Sequence, residues 1–257
     1  MTHITRLLLL TNAILASLFP VFARDIVSLD QNWTFFQGDA SGAETTLANT
    51  SIRSGAISLR STLVSPNGQK LSSTDSEDTL NPGQRDTVRQ QIKIPHPQLW
   101  SLESPSLHSL ITRITAGDTV IDEVTTPFGI RQAEFRSETG FWLNAKNLKI
   151  KGVCLHHDGG AVGAAVPLAV WERRLKTLHE LGVNAIRTAH NPPAPEFLDL
   201  CDRMGLLVMD EFFDCWSQAK NPNDYHLFFK EWSHSDLRDG ILRDRNHPSV
   251  IPLQRGK

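Results

Sequence analysis

Cysteine is scarce in this chain. Cys154, Cys201 and Cys215 are the only three in 257 residues. An odd, scattered set cannot serve as a disulfide framework, and no pair has the CxxC spacing of a structural zinc site. An excess of one charge is also lacking. Lys and Arg total 26 against 28 Asp and Glu, a formal net charge of -2. That balance argues against a nucleic-acid partner and against a polybasic membrane surface. Beyond the first two dozen residues, no apolar run is long enough to span a bilayer. What remains is 40% hydrophobic and 21% charged, a globular composition long enough for one large or two ordinary domains.

The N-terminus stands apart. In "MTHITRLLLLTNAILASLFPVFAR" the basic Arg6 precedes an apolar run from Leu7 to Phe19. Val21-Phe22-Ala23 loosely fits a small-x-small cleavage site, so residues 1–23 are expected to be a signal peptide and the protein secreted or periplasmic. The other reading, an uncleaved anchor, is disfavoured by the short apolar run. Asn32-Trp33-Thr34 and Asn49-Thr50-Ser51 have the spacing of glycosylation sequons.

Three zones follow. Residues 24–50 offer one strand, around Trp33 to Phe36, and then a polar, small-residue stretch. From 51 to 133, short segments alternate at period two. "AISLRSTLVS" leads into the "PNGQ" turn, "DTVRQQIKI" alternates likewise, and "HSLITRITAGDTVIDEVTTPF" gives two strands around Gly117-Asp118. Such spacing predicts a β-sandwich. Pro95, Pro97 and Pro105 punctuate the loop around Trp100.

From 134 the period changes. "LKIKGVCLHH", "VNAIRTAH", "LLVMDEF" and "PSVI" read as strands. "LAVWERRLKTLHELG", "PEFLDLCDRMG" and the stretch from Phe228 to about Arg245 read as helices, the first two stopped by Gly182 and Gly205. This is a βα series with a parallel sheet, doubly wound or barrel. Polar residues gather where strands end, which is where α/β folds carry their sites.

Each of these groups admits a bland reading beside a functional one. His156 and His157 adjoin on a strand and so point to opposite faces, which argues against joint chelation; turn capping or core placement is the alternative. Arg187 could hold a carboxylate by paired hydrogen bonds or form a surface ion pair. Pro192 and Pro193 stiffen the loop that carries His190. Asp210 and Glu211 also adjoin, which argues against a cooperating acid/base pair; a salt bridge to Arg187 is the plainer role for one of them.

Taken together, "KGVCLHHDGG", "LGVNAIRTAHNPPAPEFLDLCDRMGLLVMDEFFD" and "RDRNHPSVI" resemble the start of the catalytic domain of glycoside hydrolase family 2, the β-galactosidase, β-glucuronidase and β-mannosidase family. "PQLWSLESPSLHSL" and "TTPFGIR" resemble the last strands of that family's immunoglobulin-like sandwich, and "LDQNWTFFQGDASGAE" the opening of its sugar-binding jelly roll. The resemblance implies an α+β multi-domain chain: a jelly-roll remnant over 24–50, an immunoglobulin-like β-sandwich over 51–133 and the first part of a (β/α)8 TIM barrel over 134–257.

It also implies a retaining glycosidase for terminal β-D-galactosides, with glucuronide or mannoside specificity as alternatives. The partner is then a β-linked carbohydrate, and neither cofactor nor metal is expected: "FFDCW" lacks the Glu-x-His magnesium ligands of some β-galactosidases. His156 and His190 resemble the pair that bonds sugar hydroxyls and stabilises the transition state. Arg187 resembles the residue that orients the nucleophilic carboxylate. Asn191, Asp210 and Glu211 are placed with them at the substrate. In the family, "NHPSVI" leads into a strand ending in the acid/base glutamate, and a nucleophilic glutamate follows later, about 5–5.5 Å from the first in retaining enzymes. Here "PLQRGK" follows instead. The expectation is therefore a truncated, inactive member, or a non-catalytic sugar-binding or assembly remnant.

Overall fold

The computed structural model describes residues 27–29, 40–94 and 96–251. The expected signal peptide, the strand around Trp33 to Phe36 and the Asn32 sequon lie outside the described residues.

Seven antiparallel strands come first: β1 (Val27–Leu29), β2 (Ala40–Ala48), β3 (Gly55–Val64), β4 (Lys70–Leu80), β5 (Arg85–Lys93), β6 (His108–Ala116) and β7 (Thr119–Phe128). They form two sheets, ordered β1-β2-β5 and β4-β3-β6-β7. Period-two patterning turns one face of each sheet inward. Ala43 and Ile92 from the first sheet pack on Leu63, Leu110 and Phe128 from the second. Leu47 packs on Ile57, Leu59, Leu80 and Ile114 in a second cluster. The turns follow the sequence: Gly68 and Gly117 both have positive φ where the hairpins reverse.

The sandwich begins earlier than residue 51. β2, assigned by sequence to a preceding jelly-roll remnant, pairs with β5 along its whole length. Its inward residues are Ala43, Thr45 and Leu47. Only one of these is large and apolar, so the alternation is faint in the sequence. At the end of β2, Asn49 is 1% exposed and its amide donates to the carbonyls of Arg53 and Leu80. The Asn49 sequon is therefore shut inside the folded sandwich.

The sandwich does not lead straight into the parallel strands. A small antiparallel sheet intervenes, made of β8 (Ala133–Arg136), β9 (Gly140–Leu143) and β10 (Lys146–Asn147). Then come β11 (Gly152–His156), α1 (Leu168–Glu180), β12 (Ala185–Ala189), α2 (Pro195–Met204), β13 (Leu207–Met209), α3 (His226–Asp244) and β14 (Val250–Ile251). The four strands are parallel and lie in chain order. Among the described residues this sheet is open, with β11 and β14 at its edges.

Helix packing follows the sequence pattern. Trp171 and Leu175 of α1 and Phe197, Leu198, Leu200 and Cys201 of α2 bury against Ile186 and Val208. Gly205 ends α2 in the left-handed conformation, and a Cβ there would sit 2.1 Å from the Leu102 carbonyl oxygen, so no other residue fits. α3 is less well covered: of its residues only Ser233 and Asp244 are buried. Among the described residues no helix is long and apolar enough to cross a membrane.

The sandwich and the parallel sheet are tied through the loop around Trp100. Trp100 is fully buried with Phe141, Leu143, Leu207 and Ile251, and its indole N–H donates to the Asp202 carbonyl at 2.8 Å. Arg131 donates to the carbonyls of Pro248 and Val250. Burial pushes the Arg131 guanidinium down to about 10, partly offset by Asp202. Asp202 in turn accepts from His247 Nδ1 at 2.6 Å and from the Ser249 backbone N–H at 3.0 Å. The "NHPS" turn is thus fastened from below, which fixes where β14 enters the sheet.

Candidate active site

The C-terminal ends of β11, β12 and β13 bring four of the six expected residues together. His156 ends β11 and is exposed. Its ring meets His190 edge-on, with centroids 5.4 Å apart. Arg187 projects from β12, and its Nη2 donates to Glu211 Oε1 at 2.8 Å. His190 Nδ1 lies 2.9 Å from Glu211 Oε2. One carboxylate therefore engages the guanidinium and the imidazole together. The hydrogen bond to Glu211, and a weaker one to Cys154, raise the Arg187 guanidinium above its ordinary value. His157, as strand alternation requires, turns the other way and packs on Trp171.

Asp210 does not belong on the open face. It is 2% exposed, so the expectation that it touches substrate is not met. Burial first and the neighbouring Asp244 second raise its carboxyl to about 7, against the downward pull of Thr188 and Arg243. Arg243 braces Asp244 with two hydrogen bonds, at 2.6 and 2.7 Å. The adjacent residues divide the work: Asp210 faces inward and Glu211 faces the site.

Thr188 connects them, a role that no spacing or motif marks in advance. Its hydroxyl donates to Asp210 Oδ1 at 3.3 Å and accepts the Glu211 backbone N–H at 2.9 Å. A small polar side chain between Arg187 and the last strand residue is unremarkable until the loop it anchors is known. Asn191 follows His190 and lines a neighbouring cavity with Phe212 and Phe213.

The titration of Asp210 has a testable sign. Its folded pKa is raised above the ordinary carboxyl value, so the folded chain binds more protons than the unfolded one between about pH 4 and pH 7. Stability contributed here falls as pH rises through that window. Asp210→Asn keeps an acceptor for Thr188 and removes the charge. The variant should match the parent's melting temperature near pH 3.5, below the window, and exceed it at pH 8. Equal melting temperatures at both pH values would show that Asp210 does not titrate there.

Two family models match the chain. "Glycosyl hydrolases family 2" covers residues 38–131, and "Glycosyl hydrolases family 2, TIM barrel domain" covers 135–253. The chain belongs to glycosyl hydrolase family 2.

Among its relatives in the family, it is 46% identical over 207 residues to the beta-galactosidase BoGH2A of Bacteroides ovatus, covering 80% of this chain and 24% of that protein. It is 33% identical over 162 residues to a beta-glucuronidase of Bacteroides fragilis, covering 62% and 23%. A family 2 member from Bacteroides cellulosilyticus superimposes with a TM-score of 0.81 at 36% identity, over 88% of this chain and 29% of that one. The chain spans less than a third of the length of each of these relatives. Glycosyl hydrolase family 2 accounts for the two-part order seen here, a sandwich and then a parallel βα sheet.

Proposed function

We propose that this chain carries the first strands of a retaining β-glycosidase centre directed at terminal β-D-galactosides. The observation that supports this most is the meeting of His156, Arg187, His190 and Glu211 at three consecutive strand ends. His156 and His190 offer ring N–H groups and lone pairs to sugar hydroxyls. Arg187 and Glu211 hold one another and preorganise the floor on which the sugar rests.

Hydrolysis with retention needs one carboxyl as acid and a second as nucleophile. Glu211 is engaged by Arg187 and His190, and Asp210 is buried against Asp244. Both oxygens of Glu211 are taken, and Asp210 is shut away from the open face where a glycosidic bond would lie. Our reading is that Glu211 and Asp210 position and brace the sugar and serve neither as the acid nor as the nucleophile. We further propose that residues 1–23 direct export, so that the sugar is met outside the cytoplasm.

The 46% identity to a protein named beta-galactosidase favours galactosides. The relative named beta-glucuronidase supports a second reading, in which the sugar carries a carboxylate. Calorimetric titration with methyl β-D-galactoside, β-D-glucuronide and β-D-mannoside separates them. The galactoside should bind tightest, and His190→Ala should weaken it about tenfold, the worth of one hydrogen bond. Tighter glucuronide binding would overturn the galactoside assignment. No binding of any glycoside would overturn the reading as a whole.

A further inference from the structure

Beside the His190–Glu211 cluster lies a cavity of about 700 Å³, between the loop after β13 and helix α3. None of His156, Arg187, His190 or Glu211 lines it; it meets their site only at Asn191 and Pro192. Its volume falls within the range of about 300–1,000 Å³ typical of small-molecule sites. We propose that this cavity is a second saccharide-binding site, which takes a neutral sugar ring against an aromatic wall.

The wall is built from Phe213 and Tyr225, whose rings stack at 5.1 Å with 16° between planes. Phe229 meets Phe213 edge-on at 5.6 Å, and Trp216 stacks on Phe229 at 5.6 Å. Four rings bracing one another leave the wall little freedom to collapse. Phe212, beside Phe213, is fixed by close approach: a Cβ on Gly240 would lie 1.8 Å from its ring, so that ring sits directly on the α3 backbone.

The polar groups are of the kind a sugar needs. Asp236 accepts the Tyr225 hydroxyl and keeps lone pairs for further donors. The other carboxylates are already partnered: Asp214 with Lys220, Asp224 with His226, and Asp239 with Arg238. A cation would find these charges compensated. A neutral polyhydroxyl ring would find acceptors for its hydroxyls and an aromatic face for its C–H side. The choice of sugar as ligand rests on the glycosidase reading; the cavity and its wall do not.

The test is a map of backbone amide shifts in the full chain during titration with lactose. We expect two sets to move with separate saturation curves, one at Asn191, Phe213, Tyr225 and Gly240, the other at His156, His190 and Glu211. Phe213→Leu keeps an apolar side chain and removes the ring. It should weaken the first set about tenfold and leave the second unchanged. Shifts in the second set alone would overturn the cavity proposal and leave the glycosidase reading standing. Shifts in the first set alone would do the reverse. No shifts at all would overturn both. Tyr225→Phe, which loses only the hydroxyl, repeats the test should Phe213→Leu fail to fold.

Discussion

Trp100→Ala should lower the melting temperature by roughly 10 °C. Trp100 is fully buried where the sandwich loop meets the parallel sheet, among Phe141, Leu143, Leu207 and Ile251. Deleting a buried indole costs about 3–5 kcal/mol through lost transfer free energy and the cavity left behind. The Asp202 carbonyl also loses its indole donor. For a chain of this size each kcal/mol corresponds to about 2–4 °C. Calorimetry should show the sandwich and the βα unit separating into two transitions, because the largest side chain packed between them is gone and the Arg131 hydrogen bonds are left to couple them. A drop of under about 3 °C would mean that Trp100 fills space without joining the units.

Asp202→Ala is expected to be of similar size, for an electrostatic reason. Its carboxylate receives His247 Nδ1 and the Ser249 N–H in a buried place. Removing one partner of such a pair costs about 3–5 kcal/mol, since the other is left without compensation. The pair also sets a pH dependence. Burial lowers the His247 pKa, but the hydrogen bond and charge of Asp202, helped by Asp199, raise it further, and the net shift is upward. The stabilisation is therefore complete below the ordinary histidine value of about 6.5 and is lost as pH rises through the higher folded value. Melting curves from pH 5 to pH 9 should show the parent losing stability above neutrality and Asp202→Ala nearly flat there. A parent curve that rises over that range would contradict the assignment.

Glycine stops and apolar spacing place α1 and α2, because both are local properties of the chain. The strand-end positions of His156, Arg187 and His190 follow equally directly from short apolar runs that end in polar residues. The pairing of β2 with β5 is different. It joins Ala43 and Thr45 to a strand more than forty residues away, and small side chains carry little periodic signal. The β8–β10 sheet was hidden by the brevity of its strands. Asp210 and Glu211 could not be sorted by spacing alone. Their roles depend on Asp244 and Thr188, which belong to other elements and enter only through the fold.

His156, Arg187, His190 and Glu211 together are proposed as the sugar-binding floor. A crystal of the chain soaked in methyl β-D-galactoside tests it most directly. We predict the sugar between His156 and His190, with hydroxyls on their ring nitrogens and the Arg187–Glu211 pair intact beneath it. A galactoside bound elsewhere, with those four side chains facing only water, would contradict the account.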